Sequence, residues 1–367
     1  MNITRAAALL VLASVLPGRA FGAAGTASLQ FLNLDVGARQ VAMAGSGVGL
    51  GGDVYSMAQN PAWLAQLSSP ELGLSDALWL QDISYQDIFY AHPAFGGVYG
   101  LHLQSLGYGT ISSYDANGAS MGSFGASDLL IGGSYAHYWP DHRLYLGATG
   151  KLAQERIGPS KTTGEMLDLG AAWFPWNEGR LDALSFGAAL TQLGPGVKFQ
   201  SDTEPLPQTM TLGAAMRFNE SFNTALDLQF PFHGSPRVLL GSEYWFYHEF
   251  CVRAGLDPLQ DYSEGFGIRA GFGLRVADSR LADAEIDYAF APMGELGLTH
   301  HVTLILRFGG KAEKTFRQGL RLMREDKPAE AILKFEDALR ADHNHPEAGQ
   351  WLRRAQRGIE QSVQETP

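Results

Sequence analysis

Alternation with a period of two residues governs most of this chain. In Gly265 to Val276, Phe266, Ile268, Ala270, Phe272, Leu274 and Val276 share one side, while Gly267, Arg269, Gly271, Gly273 and Arg275 share the other. Met210, Leu212, Ala214, Met216 and Phe218 alternate with Thr209, Thr211, Gly213, Ala215 and Arg217. Leu144, Leu146 and Leu152 lie opposite Arg143 and Lys151, and Ala284, Ile286, Tyr288 and Phe290 opposite Glu285 and Asp287. Successive side chains of a strand point to opposite faces, so this pattern marks strands with one apolar face. About fourteen such segments occur, near residues 71–79, 83–91, 97–107, 125–138, 143–155, 164–174, 182–192, 208–218, 223–230, 237–246, 248–256, 264–276, 283–291 and 299–308. Most run about 9–12 residues, the length a tilted strand needs to cross a bilayer.

Alternation does not say which face meets lipid; size does. About 14 strands closed into one barrel leave a lumen too wide for aliphatic side chains to fill, whereas a polar, Gly-rich lumen with an apolar exterior meets no such difficulty. Two stacked soluble sheets are the alternative. Composition agrees with the membrane reading: 45% of the 367 residues are hydrophobic and only 18% charged, against about a quarter in an ordinary soluble protein. A helical membrane bundle is excluded, because no apolar run reaches about 18 residues. The net charge of −11 argues against nucleic acid as a partner.

The links between segments alternate in length. Pro140-Asp141-His142, Asn219-Glu220-Ser221 and Tyr247-His248-Glu249 read as tight turns, whereas 107–127, 157–163 and 194–207 read as longer loops. Outer-membrane barrels have short periplasmic turns and longer outer loops, and an even strand number puts both chain ends on the periplasmic side. Tyr90, Trp173, Trp176, Tyr244 and Tyr247 fall near strand ends, where interfacial aromatic girdles sit.

Both ends of the chain are different material. Residues 1–22 carry Arg5, an apolar stretch from Ala6 to Leu16, then Ala20-Phe21-Gly22, the pattern of a cleaved secretory signal. The single Cys251 rules out a lipoprotein anchor at that point, a disulfide framework and a Cys-based metal site. Residues 311–367 hold roughly 21 charged residues in 57 positions, with only 3 Gly. Their spacing, with Gly319, Leu322, Ala331, Phe335 and Ala338, fits one tetratricopeptide repeat of about 34 residues, followed by a third helix opened by Pro346. A lone repeat cannot bury its own faces. The tail is therefore expected on the barrel rim, on another copy or on a partner, with Phe316, Gly319, Phe335 and Trp351 as candidate partner-binding residues.

Several catalytic patterns are rejected. Gly47-Val48-Gly49-Leu50-Gly51-Gly52 matches a dinucleotide fingerprint but has no βαβ context. Gly118-Ala119-Ser120-Met121-Gly122 matches a nucleophile elbow but lies in a polar loop, not at a strand-to-helix turn. The histidines His300-His301 and His343-Asn344-His345 lack a third ligand nearby. No catalytic residue, metal site or cofactor is expected. A lipid-modifying barrel using Ser120 is the enzyme alternative.

Between the signal and the first strand lies a stretch of about 40 residues, too polar and Gly-rich for a strand, that needs a place to go; the lumen offers one. It reads Gln30-Phe31-Leu32-Asn33-Leu34-Asp35-Val36-Gly37-Ala38-Arg39, then Val41 to Gly49, Asp53 to Met57, and Gln59-Asn60-Pro61-Ala62-Trp63-Leu64-Ala65. Asn60 is placed to cap a short helix, with Pro61 at its first position. This signature, Gly37-Ala38-Arg39 followed by Asp53 and Asn60-Pro61-Ala62, resembles the PorV/PorQ family. That family shares the fourteen-stranded fold of the FadL-like fatty-acid transporters. Trp63 departs from it, where Gly is common. The final strand, His301 to Phe308, looks like the terminal signal read by the outer-membrane assembly machinery.

The resemblance implies an all-β transmembrane barrel of about 14 antiparallel strands with an N-terminal plug, plus the small α-helical TPR-like domain. The boundaries expected are 1–22 signal, 23–68 plug, 69–310 barrel and 311–367 periplasmic helical domain. Arg39, Gly45, Gly47, Asp53, Asn60, Pro61 and Ala62 are the plug or gate candidates. Asp168, Arg217, Asp227, Arg253, Arg269, Glu285 and Asp287 are the lumen charges, with Asp168, Asp227, Arg253 and Arg269 as candidate partners for Arg39 and Asp53. The implied role is non-enzymatic passage of a hydrophobic small molecule or a secreted client across the bacterial outer membrane. A type IX-like secretion accessory, binding a periplasmic or secretion-system protein through the tail, is the alternative. The mixed-charge lumen is read as disfavouring a greasy interior path.

Overall fold

The computed structural model describes residues 27–78, 83–175, 184–199, 202–218, 221–247, 249–259, 267–276, 282–292, 297–309, 311–325, 327–341 and 348–364. The signal segment, Trp176, Asn219, Glu220, His248, the His343-Asn344-His345 run and Pro346 lie outside these residues.

The strands are β1 (Glu71–Leu78), β2 (Ser84–Ala94), β3 (Gly97–Tyr114), β4 (Ser120–Trp139), β5 (Leu144–Ile157), β6 (Ser160–Trp173), β7 (Leu184–Leu193), β8 (Val197–Phe199), β9 (Asp202–Glu204), β10 (Thr209–Arg217), β11 (Phe222–Pro231), β12 (Arg237–Phe246), β13 (Phe250–Leu256), β14 (Ile268–Val276), β15 (Ala282–Pro292) and β16 (Leu298–Phe308). All but β8 and β9 form one closed antiparallel barrel, in which β1 pairs with β16 in the register Glu71↔Arg307 to Leu78↔His300. Fourteen strands thus close without an edge, which satisfies every ladder in a lipid environment. The alternation resolves into apolar outside and mixed inside: on β4, Ile131 is 54% exposed while its neighbour Leu130 is 1% exposed.

The barrel is uneven. β3 and β4 span 18 and 20 residues, while β13 spans 7. The sequence reading of residues 107–127 as a long loop is corrected: the two strands continue through it and pair from Thr110↔Gly125 to Tyr114↔Ser120. Their far halves are exposed on both faces, so they stand above the lipid-facing belt without an apolar face to betray them. Likewise 157–163 is a tight turn, since β6 begins at Ser160. The link 194–207 carries the short hairpin β8–β9. We call the end where β1 starts and β16 finishes the near end, and the opposite one the far end.

Tyr99, Tyr135, Trp139, Trp173, Phe186, Phe218, Tyr244, Phe246 and Phe250 are exposed on the outer face toward the near end, the place of an interfacial girdle. Tyr90 is also exposed on the outer face of β2, and Tyr247 is exposed in the turn after β12.

Three helices follow β16: α3 (Lys311–Arg324), α4 (Pro328–Ala341) and α5 (Ala348–Gln364); two shorter ones, α1 (Ala38–Ala42) and α2 (Ser56–Gln59), belong to the plug. The tail buries Phe316, Phe335, Ala331, Ala338, Ala348 and Ala355 in a core of its own. Phe335 sits between Phe316 and Trp351, with ring centroids 5.8 and 6.5 Å away, and Gly319 gives it room. The four residues expected to bind a partner thus pack on one another within the tail, with Trp351 half-buried. The tail meets the near rim, where Arg321 donates to the Gln66 carbonyl (3.3 Å) and Tyr145 hydroxyl (3.5 Å), and Lys314 pairs with Asp283.

Candidate functional site

Residues 27–69 fill the lumen, and most of their side chains are buried. The chain descends from the far end. Ser28 N–H donates to the Pro205 carbonyl (3.0 Å) and Leu29 N–H to Glu155 near the far end of β5 (3.1 Å). The barrel strands begin and finish at one end, with Glu71 beside Arg307, whereas the first described plug residues lie at the other. A segment threaded through the lumen starts at one mouth and joins β1 at the other.

Against the wall from β7 through β10 to β16 the plug is held by polar contacts. Arg39 on α1 grips Glu243 with two parallel bonds, Nε–Oε2 at 2.9 Å and Nη2–Oε1 at 2.8 Å, and also reaches Asp53 (3.2 Å) and the Gly51 carbonyl (2.9 Å). Burial works against the Arg39 charge, but Glu243 and Asp53 outweigh it and hold the guanidinium well above its usual pKa. Arg253 bonds Glu243 (3.2 Å) and Glu285 (3.1 Å) and pairs with Asp287. Glu285 takes Arg275 (2.8 Å) and Arg307 (2.7 Å); Arg307 takes Glu71 (3.1 Å). Glu71 accepts from Val54 N–H at 3.0 Å, so the network leaves the plug at Arg39, runs over six strands (β12 to β16 and β1) and returns to it.

Other contacts fix the backbone. Asp227 accepts from Gly47 N–H (2.7 Å) and Val48 N–H (2.9 Å), Thr303 accepts from Ala38 N–H (2.8 Å), Ser185 donates to the Gly49 carbonyl (2.7 Å), and Arg217 bonds the Leu50 carbonyl. Arg269 pairs with Asp35. Asp168 does not meet the plug's charges: it pairs with Lys151 of β5 and accepts from Gln192 N–H. Thus Arg39 pairs with both Asp53 and Glu243, and neither plug residue meets the four partners expected from the sequence.

Close approach needs glycine on both sides. A Cβ on Gly213 would sit 2.5 Å from the Gly49 nitrogen, one on Gly147 2.5 Å from the Pro61 carbonyl carbon, and one on Gly49 2.9 Å from the Ala214 backbone. Gly187, Gly170, Gly241, Gly255 and Gly271 also face plug atoms at clash distance. Gly37 and Gly45, at φ of +79° and +75°, bracket α1 in a region that L side chains rarely adopt. Asn60 caps the 3-10 turn Pro61–Gln66 by accepting from Ala62 N–H (3.1 Å) and donates to the Val48 and Ala171 carbonyls (2.9 Å each). Trp63 donates to that same Val48 carbonyl (2.8 Å) and packs on Tyr145 and Phe174.

Against β1 to β6 most of the contact is apolar, although Glu71, Asp87, Asp128, Lys151 and Asp168 are also buried on these strands. Leu29, Phe31, Leu32, Val36, Val54, Tyr55, Met57 and Leu64 form one continuous cluster with wall residues such as Tyr85, Phe89, Leu106, Leu130, Ala136 and Met166. It runs the height of the barrel, from Leu106 and Met166 toward the far end to Val98 and Ala136 toward the near end. This corrects the reading of the lumen as uniformly mixed in charge. Six of the seven charges listed from the sequence lie on β10–β15, and Asp168 lies on β6, paired with Lys151; a sequence shows only inward parity.

Sequence reasoning also missed Glu243, the hub of the network, although it shares parity with Gly241. It read the lumen as Gly-rich without seeing that these wall glycines seat the plug backbone. A cavity of about 580 Å³ opens above the plug at the far end, lined by Gln30, Gln40 and Gln59 of the plug and Gln192, Gln208 and Gln229 of the wall and its loops. Among the described residues no cluster of side chains could hold a metal ion.

No family model and no curated protein matches the sequence. Among solved structures, the fold is that of the toluene transporter TbuX of Ralstonia pickettii, at 14% identity and TM-score 0.53, over 75% of this chain and 99% of that one. The toluene transporter TodX of P. putida is similar at 13% identity and TM-score 0.55, again over 75% and 99%. At these identities the likeness shows the fold alone, a closed fourteen-stranded barrel.

Proposed function

We propose that this protein is an outer-membrane channel that passes a small hydrophobic molecule along the seam between its plug and β1–β6. The observation that carries this is the continuous apolar cluster on that side. Apolar contact is non-directional and scales with area, so a hydrocarbon sliding between plug and wall replaces what it displaces at little net cost. On the opposite side the same displacement would strand buried charges, at about 3–5 kcal/mol for one broken pair. The fold shared with two toluene transporters supports the reading. Under it the near end is periplasmic and the lumen charges are a mount for the plug, not a conduction path.

The experiment is uptake of labelled toluene and of a labelled fatty acid by cells carrying or lacking the chain. Faster entry of either, abolished when Leu130 is replaced by Glu, supports the reading; equal entry with and without the protein removes it. A second reading, an accessory to protein secretion of the PorV/PorQ type, is favoured by the helical tail held on the near rim through Arg321 and Lys314. It predicts that deleting 311–367 strands secreted cargo in the periplasm while hydrocarbon entry is unchanged.

A further inference from the structure

The chamber above the plug differs chemically from the seam beside it. We infer that it is a binding site for a neutral, hydroxyl-rich molecule of the size of a mono- to trisaccharide, presented from the far side of the membrane.

Its formally charged lining residues are already neutralised inside the protein: Asp35 by Arg269, Lys151 by Asp168, and Arg237 by Asp257, with Nε–Oδ2 at 2.8 Å. No net charge is left over for an ion. The remaining polar lining is mostly amide, with the hydroxyls of Thr191, Thr209, Thr211 and Ser235 and the His233 ring beside it. Gln59, Gln192 and Gln208 each donate their NH2 group to a backbone carbonyl, those of Gly45 (2.7 Å), Leu32 (3.2 Å) and Gly194 (2.8 Å). That bond fixes which end of each amide faces away from the backbone, and it is the oxygen. Gln192 and Gln40, 7% and 3% exposed, keep Oε1 atoms without any partner. Buried acceptors left unmatched cost free energy, so a donor that satisfies them gains correspondingly. Gln229 adds a side-chain amide that the protein itself does not engage.

A wall rich in fixed carbonyl acceptors selects a ligand rich in hydroxyl donors. Leu32, Leu34, Val36 and Leu239 offer apolar patches for the C–H faces of a sugar ring. A volume of about 580 Å³ lies within the ordinary range for small-molecule pockets. Both plug and wall contribute, so occupancy would tie one to the other.

The test uses the full chain in nanodiscs and calorimetry with glucose, maltose, trehalose and sucrose; glucuronate, glucosamine and toluene are the comparisons. At least one neutral sugar is expected to bind saturably, and more tightly than the anionic or cationic sugar. Gln192→Leu should weaken it about tenfold, the cost of one lost hydrogen bond. Gln229→Leu is the cleaner variant, because no internal bond of that side chain is lost, and should weaken sugar binding while leaving thermal stability unchanged. The inference fails if none of the neutral sugars binds, if glucosamine or glucuronate binds tighter, or if both variants bind as the wild type does. Toluene uptake is a separate readout and decides nothing here.

Discussion

The wall made by β7 and β10–β16 and the wall made by β1–β6 meet the same plug with different chemistry. The first engages it through Arg39–Glu243, Asp227 on two backbone amides, and Thr303, all directional and buried. The second engages it mainly through Leu, Val, Met and aromatic side chains that have no preferred direction, with single hydrogen bonds to Glu71, Glu155 and the Ala171 carbonyl. A buried ion pair has a large penalty for losing one member and a modest net worth when intact, so it specifies position more than it adds stability. Apolar packing adds stability but tolerates exchange for another apolar body. The plug is thus located by one wall and sealed by the other, and only the seal is chemically replaceable by a hydrocarbon.

The comparison can be broken at several points. Glu243→Leu should do the most. It leaves Arg39 and Arg253 facing an apolar side chain, at about 3–5 kcal/mol, and should unseat α1; single-channel recording in planar bilayers should show a persistent ion leak. Gly213→Val puts a branched side chain where Gly49 lies and should give a comparable leak, with the barrel itself intact by heat-modifiable gel mobility. On the other wall, Leu130→Ala should cost about 2–4 kcal/mol of thermal stability, through lost burial and a cavity, yet raise hydrocarbon entry without an ion leak. Arg321→Ala should do least, about 1 kcal/mol, because its two bonds to the plug and rim are long; limited proteolysis should release the tail while the lumen stays closed.

Much of this was legible in the sequence. The strands follow from period-two alternation because each one buries a single face, and the segments near 143–155, 208–218 and 283–291 lie within a few residues of β5, β10 and β15. Asn60-Pro61 announced a capped turn because capping is local chemistry. The far halves of β3 and β4 were hidden, since strands exposed on both faces carry no alternation. The sorting of the lumen into two walls was hidden for a different reason. Parity tells inward from outward, but Arg253 and Leu130 share inward parity while lying on opposite sides of a closed ring, and only the register of all fourteen strands separates them. The tail's Phe335 read as a contact residue because the sequence does not show that α3 and α5 cover it.

The most direct test is hydrogen exchange of the plug in nanodiscs, with and without saturating toluene. The amides of Val54–Leu64 lie against β1–β6, and those of Ala38–Val48 against β11–β16. Toluene should speed exchange in Val54–Leu64 and leave Ala38–Val48 protected. Equal acceleration of both segments, or acceleration of Ala38–Val48 alone, would contradict the division of the lumen into a mount and a replaceable seal.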